Sequence, residues 1–239
     1  MTNDLVVLCL LDVLGFESIF QSIGLARMKE RYDKLTEYVK QQTGGVDIIP
    51  TPDGHVAVGC LVIGSAYFSD TLLFWTKYSK ISLPSFTRLI AESICWGLEH
   101  GLPLRGTMTV GQAILDVDSG TYLGHPIIEA ARTETAQEWV GVSFGPSFLA
   151  PDFNSGFYLH TVLPYRSHYK DKDSPLATGI TIDWPRLWRE TREMDIRTLV
   201  TAMDTDERSS PYYRKTLDFI AFSEANHDWF KKKGHMSYG

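Results

Sequence analysis

The chain has 239 residues, 44% hydrophobic and 22% charged, with a formal net charge of −6. Such a composition supports a full globular core and excludes intrinsic disorder. Its acidic balance argues against a general nucleic-acid binder, although one nucleotide remains an acceptable ligand because bound metal ions offset phosphate charge locally. No run of about 18 apolar residues is present to span a bilayer.

Leu5–Leu14 is an almost continuous apolar run and predicts a buried strand that ends on Asp12 and a glycine. The opening segment lacks a basic n-region and a small-residue cleavage site, and its apolar run carries Asp12, so a secretory leader is not expected. Cys9, Cys60 and Cys95 sit in apolar surroundings without a C-x-x-C pair, which predicts buried, reduced thiols in a cytoplasmic protein. From Phe16 the apolar positions Ile19, Phe20, Ile23, Met28, Leu35 and Val39 recur at near-helical spacing, with Gly44 and Gly45 as the stop. "IPTPDGH" reads as a loop. Two β-rich runs, Val56–Phe68 and Thr71–Trp75, meet at "SD" and predict a hairpin with Asp70 at its turn.

"SLPSFTRLIAESICWGLEHG" predicts a second helix, capped by Ser82 or Ser85 and closed by Gly101. "LRGTMTVGQAIL" predicts a strand, "HPIIEAARTETAQEW" a third helix with Pro126 in its first turn, and "VGVSFG" a short strand. The order β-α-β-β-α-β, then α-β, gives an α+β fold: a ferredoxin-like βαββαβ core with an added αβ unit and a C-terminal helical extension. The core domain is expected over residues 1–150. Residues 151–239 pack on it as an extension, with strands in "FYLHTVLPY" and "ATGITIDW", helices near Pro185–Met203 and Pro211–Trp229, and a mobile tail.

The common phosphate, zinc-protease and hydrolase motifs are absent, and the seven histidines have no metal-ligand spacing. What remains is a pair of carboxylates. In a ferredoxin-like sheet the first strand pairs with the third, so Asp12 at the end of the first can lie beside Asp70 at the hairpin. Two converging carboxylates repel and recruit a divalent cation. The backbone N–H groups of Gly15 and Phe16, opening the first helix, can meet an anion. Equally, Asp12 can be a helix-cap residue and Asp70 a plain turn residue.

The segments "LLDVLGF", "FSDTLLF", "LRGTMTVG" and "GHPIIEAARTET", in that order, resemble the class III nucleotidyl cyclases. With "ITIDWPRL" and "YYRKTLDFI" the resemblance is closest to the pyrimidine nucleotide cyclases of bacterial Pycsar antiphage systems; the core match covers Leu5–Pro146. The resemblance implies that Asp12, Asp70 and the Val13 carbonyl hold two Mg²⁺ or Mn²⁺ ions, and that Gly15 and Phe16 face the phosphates. It implies a homodimer in which Arg132, from the partner, stabilises the transition state. The family's asparagine four residues before that arginine is replaced by Ile128.

Purine cyclases place a Lys or Glu at the position of Ala66. Here Tyr67 and Thr121 suit a smaller pyrimidine by stacking and hydrogen bonding, and Tyr67 also reads as an ordinary core aromatic. Thr121 favours UTP, since its hydroxyl can meet either uracil carbonyl, while CTP can use the same hydroxyl. Arg105 reads either as a phosphate ligand or as a surface ion-pair residue, and Glu134 either as orienting Arg132 or as a solvated helix carboxylate. The implied function is a cytoplasmic uridylate cyclase making cyclic UMP for antiphage defence, with neither nucleic acid nor membrane as partner. The alternatives are a cytidylate or purine nucleotide cyclase, or a non-catalytic cyclase-like nucleotide-binding or dimerisation module.

Overall fold

The computed structural model describes residues 4–41, 46–50, 56–151, 153, 162–166, 168–204 and 207–229. Strand β1 (Asp4–Val13) leads into helix α1 (Phe16–Gln41); β2 (Val46–Pro50) and β3 (Val56–Cys60) form a separate two-stranded ribbon. Strands β4 (Gly64–Phe68) and β5 (Thr71–Lys77) form a hairpin, followed by α2 (Ser82–Glu99), β6 (Leu104–Asp116), β7 (Thr121–Gly124), α3 (His125–Thr135) and β8 (Gly141–Phe144). A short 3₁₀ turn (Pro146–Leu149), β9 (Val162–Leu163), β10 (Thr181–Ile182), α4 (Trp184–Thr191), α5 (Ile196–Met203) and α6 (Ser210–Ala225) complete the described elements. The main sheet runs β4-β5-β1-β6-β8-β10-β9, with β7 paired to β6.

The first four strands of that order are the antiparallel ferredoxin-like arrangement, and β8 adds in parallel to β6 through the α3 crossover. β1 is apolar almost throughout because both its faces are covered. Val7, Cys9, Leu11 and Val13 face the core shared with Met28, Tyr32 and Leu35 of α1 and Phe86 and Ile90 of α2. Val6, Leu8 and Leu10 face the other way, onto Leu73, Ala113 and Ala130 of α3. The period-2 alternation of a strand thus feeds two apolar layers at once.

Several expectations are corrected in detail. The run Val56–Phe68 is two strands in two different sheets, interrupted at residues 61–63. α1 breaks at Gly24 (φ 76°, ψ 167°). Neither Ser82 nor Ser85 caps α2; Ser82 is its first residue, and the Ser79 hydroxyl accepts from the Ser82 N–H at 2.9 Å. At the other end Gly101 acts as expected: Leu102 N–H donates to Gly97 C=O and Gly101 N–H to Leu98 C=O, a Schellman closure. The helix expected over Pro185–Met203 is two, because Asp195 starts α5 afresh by accepting from the Arg197 N–H at 3.1 Å.

Cys9 and Cys95 are buried and free. The Cys60 side chain, the stop at Gly44–Gly45, most of "IPTPDGH" and "FYLHTVLPY", and the C-terminal tail lie outside the described residues. Among the described residues no helix is long and apolar enough to cross a membrane.

β1 and β6 approach so closely at Leu11↔Gly106 that a Cβ on Gly106 would collide with the Leu10 carbonyl oxygen and the Leu11 side chain. Gly106→Ala is therefore expected to destabilise the protein by about 3 kcal/mol, the cost of forcing the central strands apart, read as a lowered midpoint in urea.

Candidate functional site

β1 ends where three connections meet. The Val13 N–H donates to the Asp70 C=O at 3.2 Å and the Leu14 N–H to the Pro103 C=O at 2.9 Å, so the turn into α1 is pinned from both sides. Gly15 takes a positive φ (69°), which lets the chain reverse within two residues and start α1 at Phe16. The first-turn N–H groups of any helix lack intrahelical partners, and here Gly15, Phe16, Glu17 and Ser18 open directly onto a cavity.

Asp12 lies opposite Thr71 on β5 and Arg105 on β6. Asp70 immediately precedes Thr71, in the two-residue Ser69–Asp70 turn of the β4–β5 hairpin. Ser69 holds a φ of 55°, a region that costs a non-glycine residue about 1 kcal/mol, and local strain of this kind gathers at functional sites. Both carboxylates line the same cavity of about 830 Å³, within the size range of small-ligand sites.

Arg105, only 8% exposed, organises the floor. Its Nε donates to Glu134 Oε1 at 2.6 Å, Nη1 to the Gln137 C=O at 2.8 Å and Nη2 to Asp12 Oδ2 at 3.2 Å; Nη2 also pairs with Glu134. Gln137 is fixed in turn by the Gly106 carbonyl, Thr107 and Trp139. Arg105 is thus a buried structural cation rather than a surface one, and Glu134 is its buried counter-ion rather than a solvated carboxylate or a partner of Arg132. Burial pushes the Asp12 carboxyl up to about 6; Glu134 and Asp70 push the same way, and Arg105 opposes them. The site holds more negative charge than its one buried arginine balances.

That imbalance suits a hard divalent cation. Asp12, Asp70 and the Val13 carbonyl would be an oxygen-only donor set of the type Mg²⁺ or Mn²⁺ accepts. Among the described residues no group of three or more His, Cys, Asp or Glu side chains forms a ligand cluster. Mg²⁺ does not require one, since one or two carboxylates suffice when water and substrate phosphates supply the remaining positions.

The other candidates lie elsewhere. Tyr67, half exposed on β4, packs against Tyr32 of α1 with ring centroids 6.2 Å apart. The Tyr32 hydroxyl is buried without a hydrogen-bond partner, and burial together with the Asp70 and Asp12 charges pushes its pKa up. Thr121 starts β7, where its hydroxyl accepts from Ser119 at 2.8 Å, and Arg132 is exposed on α3. None of Tyr67, Thr121 and Arg132 lines this chain's own cavity. Sequence reasoning missed the far wall, formed by Arg208, Ser209, Tyr212 and Tyr213 at the start of α6. The Ser-Ser-Pro signal does mark a helix start there, but nothing local indicates that it faces Asp12.

Fold and site together define an α+β domain with an acidic, oxygen-donor cavity where the first strand meets its hairpin neighbour. No protein-family model matches the chain, and no curated protein matches it. Among solved structures it is similar to the catalytic core of a rhodopsin-guanylyl cyclase with converted specificity in complex with ATPαS: 14% identity, TM-score 0.42, 71% of this chain and 90% of that one. It is also similar to a class III adenylyl cyclase-like ATP-binding protein from Pseudomonas aeruginosa: 11% identity, TM-score 0.40, 93% of this chain and 44% of that one. Residue roles do not transfer at such identities.

Proposed function

We propose that the protein is a nucleotidyl cyclase that converts UTP to 3′,5′-cyclic UMP and pyrophosphate. One observation carries the reading: Asp12 and Asp70, 58 positions apart in the sequence, converge on one cavity beside the opening turn of a helix. In the reaction the ribose O3′ bonds to the α-phosphorus, the bond from that phosphorus to the β-phosphate oxygen breaks, the 3′ proton passes to solvent and pyrophosphate leaves. Divalent ions held by Asp12, Asp70 and the Val13 carbonyl would supply Lewis acidity and neutralise phosphate charge.

The chain's own part is to orient. Arg105 fixes the Asp12 carboxylate, and the backbone at Gly15 and Phe16 receives phosphate oxygens. Arg132, Thr121 and Tyr67 act in a homodimer, with Arg132 reaching the partner's cavity to stabilise charge on the α-phosphoryl group. Exposed Phe68, Leu123 and Ile128, on the hairpin tip, β7 and α3, supply apolar surface for such a pairing. The cyclic product would serve as a messenger in antiphage defence.

A second reading, a non-catalytic nucleotide-binding module, is favoured by the Arg105 guanidinium already lying against Asp12 and by Ile128, 52% exposed where the resemblance calls for a polar residue. Chromatography of products from UTP, CTP, ATP and GTP, each with Mn²⁺ and with Mg²⁺, separates the readings. Cyclic UMP with equimolar pyrophosphate is the expected result. A purine product would move the assignment to another cyclase, and binding without pyrophosphate release would establish the module.

A further inference from the structure

The cavity is built from two regions nearly two hundred positions apart. One wall is the β1–α1 turn with Asp70; the other is the start of α6, with Arg208, Ser209 and Tyr212. That second wall is firmly anchored. Tyr213 is buried, the Thr216 hydroxyl accepts from the Val140 N–H at 2.8 Å, Lys215 pairs with Glu138, and Phe219 packs edge-on to Trp139 with centroids 4.7 Å apart. Tyr212 places its ring 5.9 Å from the Arg105 guanidinium, so the extension touches the cation that holds Asp12.

The charges on the two walls divide the work. Among the residues lining the cavity, the cationic side chains are Arg105 and Arg208. Arg105 gives Nε, Nη1 and Nη2 to Glu134, the Gln137 carbonyl and Asp12, which leaves it poorly placed to fork onto a phosphate. Arg208 lies on the opposite wall with its side chain exposed. A triphosphate brings several negative charges into a cavity that already holds Asp12, Asp70 and Glu17, and a guanidinium is the side chain best shaped to take phosphate oxygens in pairs.

We infer that Arg208, in the turn that leads into α6, binds the terminal phosphates of the nucleoside triphosphate in cis, so that the C-terminal extension is part of the substrate site. This rests on the nucleotide reading above. It makes the extension a sensor of the polyphosphate chain: a triphosphate spans both walls and a monophosphate does not.

The test is calorimetric titration of the full chain with UTP, UMP and inorganic tripolyphosphate in Mg²⁺, on wild type, Arg208→Ala and Arg208→Lys. Arg208→Ala is expected to weaken UTP and tripolyphosphate about tenfold, the loss of one charge-assisted contact, with UMP affinity kept and Arg208→Lys partly restored. Unchanged UTP affinity in Arg208→Ala, with wild type binding UTP, overturns the assignment of Arg208 and leaves the nucleotide reading standing. An equal loss for UTP and UMP also overturns it, by moving Arg208 away from the terminal phosphates. A wild-type chain that binds neither UTP nor tripolyphosphate overturns both.

Discussion

Asp70→Ala is expected to lower cyclic product formation by about 10³-fold while leaving the fold in place. The structural contribution of Asp70 is made by its backbone: its carbonyl receives the Val13 N–H, and alanine keeps that bond. The side chain is half-buried in a hairpin turn, where a change of this kind costs within about 0.5 kcal/mol. The chemical contribution is another matter. Losing one group that stabilises transition-state charge costs about 2.7–4 kcal/mol in barrier, and here the lost group is half of the carboxylate pair. Pyrophosphate release and product chromatography give the rate, and thermal unfolding gives the control. A variant that makes as much product as wild type removes Asp70 from the site, whatever its stability.

The core order could be read from the residues because its elements are long and strongly patterned. β1 carries ten residues with both faces apolar, and α1 repeats its buried positions at Met28, Tyr32, Leu35 and Val39. Elements without such a pattern were legible only coarsely. β9 and β10, inside the strands expected in "FYLHTVLPY" and "ATGITIDW", have two residues each, too short for any periodicity to fix their bounds or partners. β7 has no counterpart among the expected elements, although the Asp-Ser-Gly turn before it marks the hairpin through which it pairs back onto β6. The change of sheet between β3 and β4 falls inside an apolar stretch, where hydrophobicity carries no signal for a break.

The site divides along the same line. Asp12 and Asp70 stand at the ends of patterned strands, so strand order is enough to bring them together. The Arg105–Glu134 pair depends on how α3 lies over β6, and the two are 29 positions apart. No local spacing encodes that distance, which is why surface roles for both residues were equally natural expectations. The Arg208 wall depends on a still longer return of the chain and is visible only once α6 is seated against Trp139 and Val140.

Arg105→Met is expected to be the most damaging single substitution to stability, costing about 3–5 kcal/mol. Burying charges is unfavourable in itself; removing one member of a buried set is worse, because the others stay desolvated without compensation. Glu134 is 6% exposed and Asp12 lies against the same guanidinium, so both lose their cation, and the Gln137 carbonyl loses a donor. In a domain of this size the midpoint of thermal unfolding falls by about 10 °C or more. Lysine is no remedy, since one ammonium cannot reproduce three divergent N–H donors. Adding Glu134→Gln removes the stranded carboxylate and should recover about 1–3 kcal/mol. The pH dependence follows from Asp12, whose folded-state pKa of about 6 is already above its ordinary value and is held down by Arg105. Without Arg105 it rises further. A carboxyl with a raised folded-state pKa loses stability as pH climbs from the unfolded to the folded value, so the deficit of Arg105→Met should be smaller at pH 5.5 than at pH 8. Urea unfolding at the two pH values measures it. A loss below about 1 kcal/mol at pH 8 would mean that water, rather than Arg105, balances Asp12 and Glu134, and the organised floor of the cavity would have to be abandoned.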